Sequence, residues 1–283
     1  MKKAILFPGQ GAQASGMGKA LYESSFVAQE VFDKLEAIRS GTIKQCFEGS
    51  KEELSQTINT QPCIFAVSMA NAMATVGEFT ELPIVAGFSL GEVVALTFAG
   101  VMSLEDGFRT VVERAKLMNE ATSEVKGTMS AVLRLETEVI ERLASENGVY
   151  TVNYNCPGQV VVSGEVDNMA KFNEAVNSAG GRAMPLAVSG AFHSPYMKSA
   201  SDKFRKFLDT IEISPPKMSV YSNVTAKPYP NDIEKIKDLF ASQISSPVLW
   251  EQTVRDVIAS GAMEFIEMEP GKVLTGLVAK IKS

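Results

Sequence analysis

The sequence predicts an α/β fold that carries a small inserted domain. Over about the first 126 residues, short apolar runs alternate with helical periodicity, a pattern typical of strands packed between helices. From Thr128 the predicted order changes to βαββαβ, and the first pattern returns after His193. We therefore expect a large domain made of 1–126 and 191–283, with a small domain over 127–190 inserted into it.

The individual elements follow from local patterns. The first part is predicted to contain a strand at 3–7, helices at 19–38 and 61–79, and a strand at 83–88. Two hydroxyl residues followed three positions later by a carboxylate mark helix starts near 51 and 104, namely Ser50 with Glu53 and Ser103 with Asp106. The inserted part is predicted as strand 128–134, helix 136–146, strands 150–154 and 159–163, helix 166–179 and strand 182–187. The last part is predicted as a helix to about 209, strand 218–222, helix 248–260, strand 263–268 and a final helix.

Composition excludes several classes of function. The 283 residues carry 27 basic and 33 acidic side chains, and a net charge of −6 argues against a nucleic-acid partner. The three cysteines lie far apart without CxxC spacing, which favours a reducing compartment and neither a disulfide framework nor a metal site. The apolar run at the start ends at Pro8-Gly9, and no stretch reaches the roughly 18 residues of a membrane span. We expect a cytoplasmic protein with no membrane partner.

A candidate nucleophile lies at Ser89. Gly87-Phe88-Ser89-Leu90-Gly91 matches G-x-S-x-G between a buried strand pattern and a helical pattern. A sharp strand-to-helix bend needs small residues two before and two after the serine, and glycine occupies both positions. The bend exposes the hydroxyl at a helix N-terminus, where the Leu90 amide can face an oxyanion. The alternative is a serine and two glycines that merely cap a helix.

A candidate general base is His193, the only histidine of the chain. A serine hydroxyl needs an adjacent base at neutral pH, and histidine has a suitable pKa. His193 lies at the junction between the inserted part and the returning α/β part, in a loop rather than on an apolar helix face. The group that orients His193 is not fixed by these residues, because either an acid or a backbone carbonyl could serve.

Six ordered motifs over essentially the whole chain resemble the malonyl-CoA:acyl carrier protein transacylases, which include the acyltransferase domains of polyketide synthases. They are Phe7 to Gln13, Gly87 to Glu92, Glu113 to Met118, Asn155 to Gln159, Gly190 to Ser194 and Pro270 to Gly276. The resemblance implies an α/β-hydrolase-like core with a mostly parallel sheet and an inserted ferredoxin-like subdomain. It also implies two-step transfer of malonyl from malonyl-CoA to the phosphopantetheine thiol of acyl carrier protein in fatty acid biosynthesis, by a monomer that needs no cofactor.

The same resemblance assigns roles to residues of this chain. Ser89 carries the malonyl ester and His193 moves the proton, while the amides of Gln10 and Leu90 form the oxyanion hole. The substrate-binding residues are Arg114, Met118, Phe192 and Asn155. A guanidinium at Arg114 suits the free malonyl carboxylate, although a solvated helix arginine is the simpler interpretation of its sequence context. A bulky Phe192 beside the base is typical of sites that reject an α-methyl group, and core packing is the alternative.

Two positions depart from the family pattern. Phe88 stands where relatives usually carry histidine, which affects polar contacts in the acyl pocket. Leu249 stands where relatives often carry a polar residue whose backbone carbonyl orients the histidine. Because a carbonyl does not depend on its own side chain, we expect the Leu249 carbonyl to orient His193.

Other functions remain open at this stage. Gly9-x-Gly11-x-x-Ala14 after a strand matches a dinucleotide-binding fingerprint, but the acidic residue expected about 20 positions later on a second strand is missing. A serine (thio)esterase could use the same serine and histidine with water as acceptor. A trans-acting polyketide acyltransferase and a non-catalytic carrier-binding module are further alternatives.

Overall fold

The computed structural model of the chain describes residues 2–78, 81–188 and 190–283. Up to the nucleophile bend, the elements are β1 (Lys3–Phe7), α1 (Lys19–Ser24), α2 (Phe26–Ile38), α3 (Thr42–Glu48), α4 (Lys51–Ser55), α5 (Thr57–Thr75) and β2 (Ile84–Gly87). Next come α6 (Leu90–Phe98), α7 (Leu104–Ala121), β3 (Gly127–Leu133), α8 (Thr137–Glu146), β4 (Tyr150–Cys156), β5 (Gln159–Glu165), α9 (Val166–Ser178) and β6 (Arg182–Pro185). The last part contains α10 (Lys198–Leu208), β7 (Val220–Tyr221), α11 (Ile233–Ser242), α12 (Trp250–Ala259), β8 (Glu264–Glu267) and α13 (Val273–Lys282).

The fold is α/β, with one parallel sheet and a separate antiparallel sheet. The parallel sheet has the order β7-β2-β1-β8, and β1 pairs with β2 from Ala4 opposite Ile84 to Phe7 opposite Gly87. The second sheet has the order β4-β5-β3-β6, and all three of its pairings are antiparallel. The predicted βαββαβ order over the middle of the chain is therefore confirmed.

The parallel sheet is buried on both faces. Ile5 and Phe7 point into one apolar cluster with α2, α5 and α6, while Ala4 and Leu6 point into another with α12 and α13. Alternate residues of a strand face opposite sides, so a strand covered on both sides must be apolar throughout. This explains the continuous Ala-Ile-Leu-Phe run of β1. A third cluster fills the space between the antiparallel sheet and its helices α8 and α9.

The predicted helix starts near 51 and 104 are confirmed, and their caps have the expected geometry. The Ser50 hydroxyl accepts from the Glu53 amide at 3.1 Å, and the Ser103 hydroxyl accepts from the Asp106 amide at 3.0 Å. Helices α3 and α11 were not predicted. The predicted helix end at 79 and residue 189 of the proposed small domain lie outside the described residues.

The antiparallel sheet contacts the rest of the chain along β4, which packs beside α12 and α13. Val248, just before α12, exchanges backbone hydrogen bonds with β4: its amide donates to the Val152 carbonyl at 2.8 Å and its carbonyl accepts from the Tyr154 amide at 3.0 Å. A cavity lies where Gln10 and Ser89, which follow β1 and β2, meet Met129 of β3 and Asn153 of β4. None of the described helices is both long and apolar enough to cross a membrane.

Candidate active site

Ser89 lies at a strained bend between β2 and α6. Its φ of 53° and ψ of −109° fall outside the regions that non-glycine residues favour. The flanking glycines are required by close packing. A Cβ on Gly87 would overlap the Gly91 backbone, and a Cβ on Gly91 would overlap the Phe7 carbonyl. The bend can therefore form only with glycine at both positions, as the G-x-S-x-G motif predicts.

The structure brings Ser89 and His193 together from positions 104 residues apart. The Ser89 Oγ lies 2.7 Å from Nε2 of His193. The His193 Nδ1 lies 2.9 Å from the Gln243 carbonyl oxygen. Because a carbonyl can only accept, Nδ1 carries the ring proton, and Nε2 is left to accept the serine proton. This is the tautomer that a general base needs.

The prediction that the Leu249 carbonyl orients His193 is wrong. That carbonyl accepts from the backbone amide and the hydroxyl of Thr253, at 2.9 and 2.8 Å, in the first turn of α12. The orienting carbonyl belongs to Gln243, in the 3₁₀ turn that follows α11. The sequence signal was misleading because a carbonyl's direction depends on the path of the backbone rather than on residue type.

Burial keeps His193 neutral. Only 4% of the residue is exposed. Burial, and second the Arg114 guanidinium, lower the pKa of His193 from 6.5 to about 4, although the carbonyls of Gln243 and Ser246 oppose this shift. The imidazole is therefore ready to accept a proton at any pH well above 4.

Arg114 is fully buried beside the same hydroxyl. It comes from α7, and its guanidinium donates to the Gln61 side chain at 2.6 Å, to the Gln243 side chain at 2.8 Å and to Ser89 Oγ at 3.3 Å. Its Nε is buried without a partner among the described residues. Burial lowers the pKa of Arg114 to about 10, partly offset by Glu92, so the group stays charged at neutral pH. A buried cation with an unused donor is suited to an anionic ligand.

Two glutamines that the sequence analysis missed hold this arginine. Gln61 on α5 and Gln243 after α11 supply the oxygen acceptors, 53 and 129 positions from Arg114. Both lie in segments with no motif-like spacing, and glutamine has no charge or acid-base chemistry to draw attention. We know of no sequence pattern in this chain that could have identified them.

Two residues whose backbone amides donate to no acceptor among the described residues line the cavity at Ser89. Gln10 follows β1 in a turn and Leu90 begins α6, and both residues line the cavity at the serine. Neither amide donates to an acceptor in the part of the chain that the structure describes. The Leu90 amide lies at a helix N-terminus, where the helix dipole also favours negative charge. The pair is suited to an oxyanion.

The cavity at Ser89 has a volume of about 90 Å³. Met118 and Phe192, both predicted to bind substrate, lie in its wall and are 2% and 5% exposed. Asn155 does not line this cavity. It lines an adjoining one of about 230 Å³, together with Gln10 and Phe88, and its Oδ1 is buried without a partner among the described residues. Phe88 packs edge-on against Trp250, with ring centroids 5.4 Å apart.

A serine that can pass its proton to a neutral histidine can attack a thioester, hold the acyl group as an ester and release it to a second acceptor. The fold and the site thus define an enzyme of the serine acyl-transfer class. A family model described as "Acyl transferase domain" matches residues 5–281, and the chain belongs to this family. It is an acyltransferase.

Named relatives share nearly the whole chain. A malonyl CoA-acyl carrier protein transacylase of Bacillus subtilis (strain 168) is 40% identical over 291 residues, which cover 99% of this chain and 90% of that protein. A polyketide biosynthesis malonyl CoA-acyl carrier protein transacylase of the same strain is 37% identical over 285 residues, with 98% and 96% covered. A solved structure described as a type II polyketide synthase acyl-carrier protein in complex with its malonyl-transacylase matches with a TM-score of 0.95 at 36% identity, with 99% and 93% covered.

Proposed function

We propose that this chain transfers malonyl from malonyl-CoA to the phosphopantetheine thiol of acyl carrier protein, through an ester on Ser89. The observation that carries the proposal is the position of Ser89 Oγ, 2.7 Å from a neutral imidazole and 3.3 Å from a buried guanidinium. The imidazole of His193 and the guanidinium of Arg114 together suit an acyl donor that carries a carboxylate, as malonyl-CoA does. The relatives named for this reaction support the same assignment.

In the first half-reaction, His193 Nε2 takes the hydroxyl proton as Oγ attacks the thioester carbonyl. The carbonyl oxygen becomes an oxyanion held by the amides of Gln10 and Leu90, a type of contact whose loss costs on the order of 10²–10³ in rate. Collapse of this intermediate breaks the C–S bond, and the protonated imidazole returns its proton to the leaving thiolate. In the second half-reaction the carrier thiol attacks the ester, and the same steps run in reverse.

Arg114 selects malonyl by its carboxylate. Charge-assisted hydrogen bonds are worth about 1.5–3 kcal/mol each, and an acetyl group cannot form them. The guanidinium is held by the side chains of Gln61 and Gln243, so its direction is fixed before substrate enters. Met118 packs beside it, with its sulfur 3.4 Å from Gln61 Nε2. Phe192 leaves little space beside His193 for an α-methyl group.

Asn155 binds the pantetheine arm in the adjoining cavity. Its buried Oδ1 needs a donor, and the amides of pantetheine supply N–H groups. Phe88 is shared by the walls of both cavities and makes their junction apolar.

Several further features belong to the proposal. The core is α/β-hydrolase-like over 1–126 and 191–283, and 127–190 form a ferredoxin-like subdomain, which the strand order β4-β5-β3-β6 supports. The enzyme works in the cytoplasm as a monomer. Transfer between a thioester and a thiol exchanges no electrons and needs no cofactor. We assign the reaction to fatty acid biosynthesis, with polyketide synthesis as the alternative because relatives of both kinds match.

Intact mass after incubation with malonyl-CoA tests the proposal. The wild type should gain one malonyl group, and Ser89→Ala should gain none. Adding phosphopantetheinylated acyl carrier protein should remove the group and load the carrier. Release of free malonate in place of carrier loading would establish a thioesterase instead. Wild-type protein that stays unmodified while the carrier binds it would indicate a non-catalytic binding module.

A further inference from the structure

Asn223 forms hydrogen bonds with the backbone of the nucleophile bend. It follows β7, 134 positions after Ser89. Its Oδ1 accepts from the Ser89 amide at 2.8 Å, and its Nδ2 donates to the Gly87 carbonyl at 2.7 Å. One carboxamide thus bridges the two backbone groups that flank Phe88. Because a carboxamide carries one acceptor and one donor side by side, Asn matches this pair, and leucine or alanine does not.

A second side-chain amide, from Gln243, forms a hydrogen bond with the backbone carbonyl of Ser89. The Gln243 Nε2 donates to the Ser89 carbonyl at 2.7 Å. Both backbone polar groups of Ser89 are therefore bonded to side chains from the last part of the chain. A residue with φ near 53° costs on the order of 1–3 kcal/mol and persists only where surrounding contacts fix it. These contacts supply that constraint.

Asn223 is itself held by a buried carboxyl. Glu92 lies on α6 and is 0% exposed. Its Oε2 accepts a hydrogen bond from the backbone amide of Asn223 at 2.9 Å. Its Oε1 accepts from the Tyr229 hydroxyl, and its Oε2 lies 3.3 Å from Gln243 Nε2. Burial raises the pKa of Glu92 to about 7, while these donors favour the charged form. A buried carboxyl is costly unless it is bonded in this way.

We infer that Asn223 is a positioning residue for the acyl-transfer reaction, that it holds the Ser89 bend in the shape that aims Oγ at His193, and that Glu92 fixes it in place. Among the described residues, neither Asn223 nor Glu92 lines the cavities at Ser89. Asn223 therefore acts through the backbone of Ser89 and not on substrate. The inference rests on the proposed role of Ser89 as nucleophile.

The first test is Asn223→Ala in the full chain, with malonyl-CoA and mass detection of the Ser89 ester. We expect the rate at saturating malonyl-CoA to fall on the order of 10²-fold, because displacing a reacting group by about 1 Å has an effect of about that size. The half-saturating concentration should stay within about threefold, since substrate contacts are unchanged. The matched control is Val162→Ala in the core of the antiparallel sheet, which should lower thermal stability and keep the rate.

The second test is the pH profile of Asn223→Asp between pH 5 and 8. A protonated carboxyl offers the same acceptor and donor as the amide, whereas an ionised one cannot donate to the Gly87 carbonyl. Burial and neighbouring Glu92 disfavour ionisation of the new carboxyl, so this variant should work best at low pH and lose rate as the pH rises. The wild type should keep its rate over this range, because a protonated Glu92 retains an acceptor oxygen for the Asn223 backbone amide. The titratable groups that bear on this position are Glu92, which accepts from the Asn223 backbone amide, and Tyr229 and Arg114, which interact with Glu92.

Two results would overturn the inference: an Asn223→Ala rate within about threefold of wild type, or an Asn223→Asp profile parallel to the wild-type profile. If Asn223→Ala does not fold, the Asn223→Asp profile decides alone. A purely structural role predicts lower stability in both variants with no inverted pH dependence. Failure of wild-type protein to form a Ser89 ester would instead refute the proposed function, so the two outcomes are distinguishable.

Discussion

Lowering the pH to 5 tests the environment that the structure gives His193. With an ordinary pKa of 6.5, about 3% of the imidazole would be neutral at pH 5, whereas with a pKa of about 4 the neutral fraction is about 90%. Since only the neutral form can accept the Ser89 proton, the fraction of enzyme able to react at pH 5 differs about 30-fold between the two cases. We expect kcat/KM at pH 5 to remain close to its value at pH 7.

The assay measures kcat/KM for formation of the Ser89 ester, because this parameter reports the pKa of the free enzyme. Malonyl-pantetheine is the preferred donor, since it lacks the phosphates that titrate near pH 6. Arg114→Gln serves as a comparison, because removal of the second cause of the low pKa should move the acid limb of the profile to higher pH. Half-maximal kcat/KM at about pH 6 or above in the wild type would refute the reasoning.

Loss of folded protein at pH 5 must be measured separately. For His193 the folded pKa lies below the unfolded value, so its contribution to stability falls by about 2 kcal/mol between pH 7 and pH 5. For Glu92 the folded pKa of about 7 lies above the unfolded value of 4.5, so its contribution rises by about 2 kcal/mol over the same range. Because the signs oppose, denaturant unfolding of the wild type should change little, and Glu92→Gln should lose stability as the pH falls.

Three further predictions follow from individual contacts. Arg114→Gln should lower malonyl transfer roughly 10²-fold and leave acetyl transfer unchanged or higher, because it removes the cation that receives the carboxylate; equal losses with both CoA esters would contradict this. Gly91→Ala should lower the free energy of unfolding, measured by denaturant titration, by about 1–3 kcal/mol or more, because the new Cβ meets the Phe7 carbonyl. Gly276→Ala in α13 is the control: the space around this glycine is open, so the free energy of unfolding should rise by about 1 kcal/mol in the same titration. Leu249→Ala should keep the acylation rate measured by mass, because the Gln243 carbonyl orients His193; a loss beyond about tenfold would restore a role for Leu249.

The elements that were predicted well carry local signals. Helices α4 and α7 begin where a serine hydroxyl can accept from an amide three residues later, an interaction that depends only on neighbouring residues. The buried strand β1 shows as an apolar run because both of its faces are covered. Helix α3 was missed because its N-cap is Gly41 in the left-handed conformation without a capping side chain. Helix α11 begins at an Asp232 cap, which is a local signal of the same kind as the serine caps of α4 and α7.

The sequence by itself determined the candidate nucleophile, because a glycine-flanked serine between a strand and a helix specifies its own bend through contacts a few residues long. It also limited the base to one residue, since the chain contains a single histidine. Only the tertiary structure decided which carbonyl orients His193, which amides hold Arg114, and that Asn223 supports the bend. Those contacts join residues 50 to 134 positions apart, and their geometry depends on how the two sheets and their helices pack together.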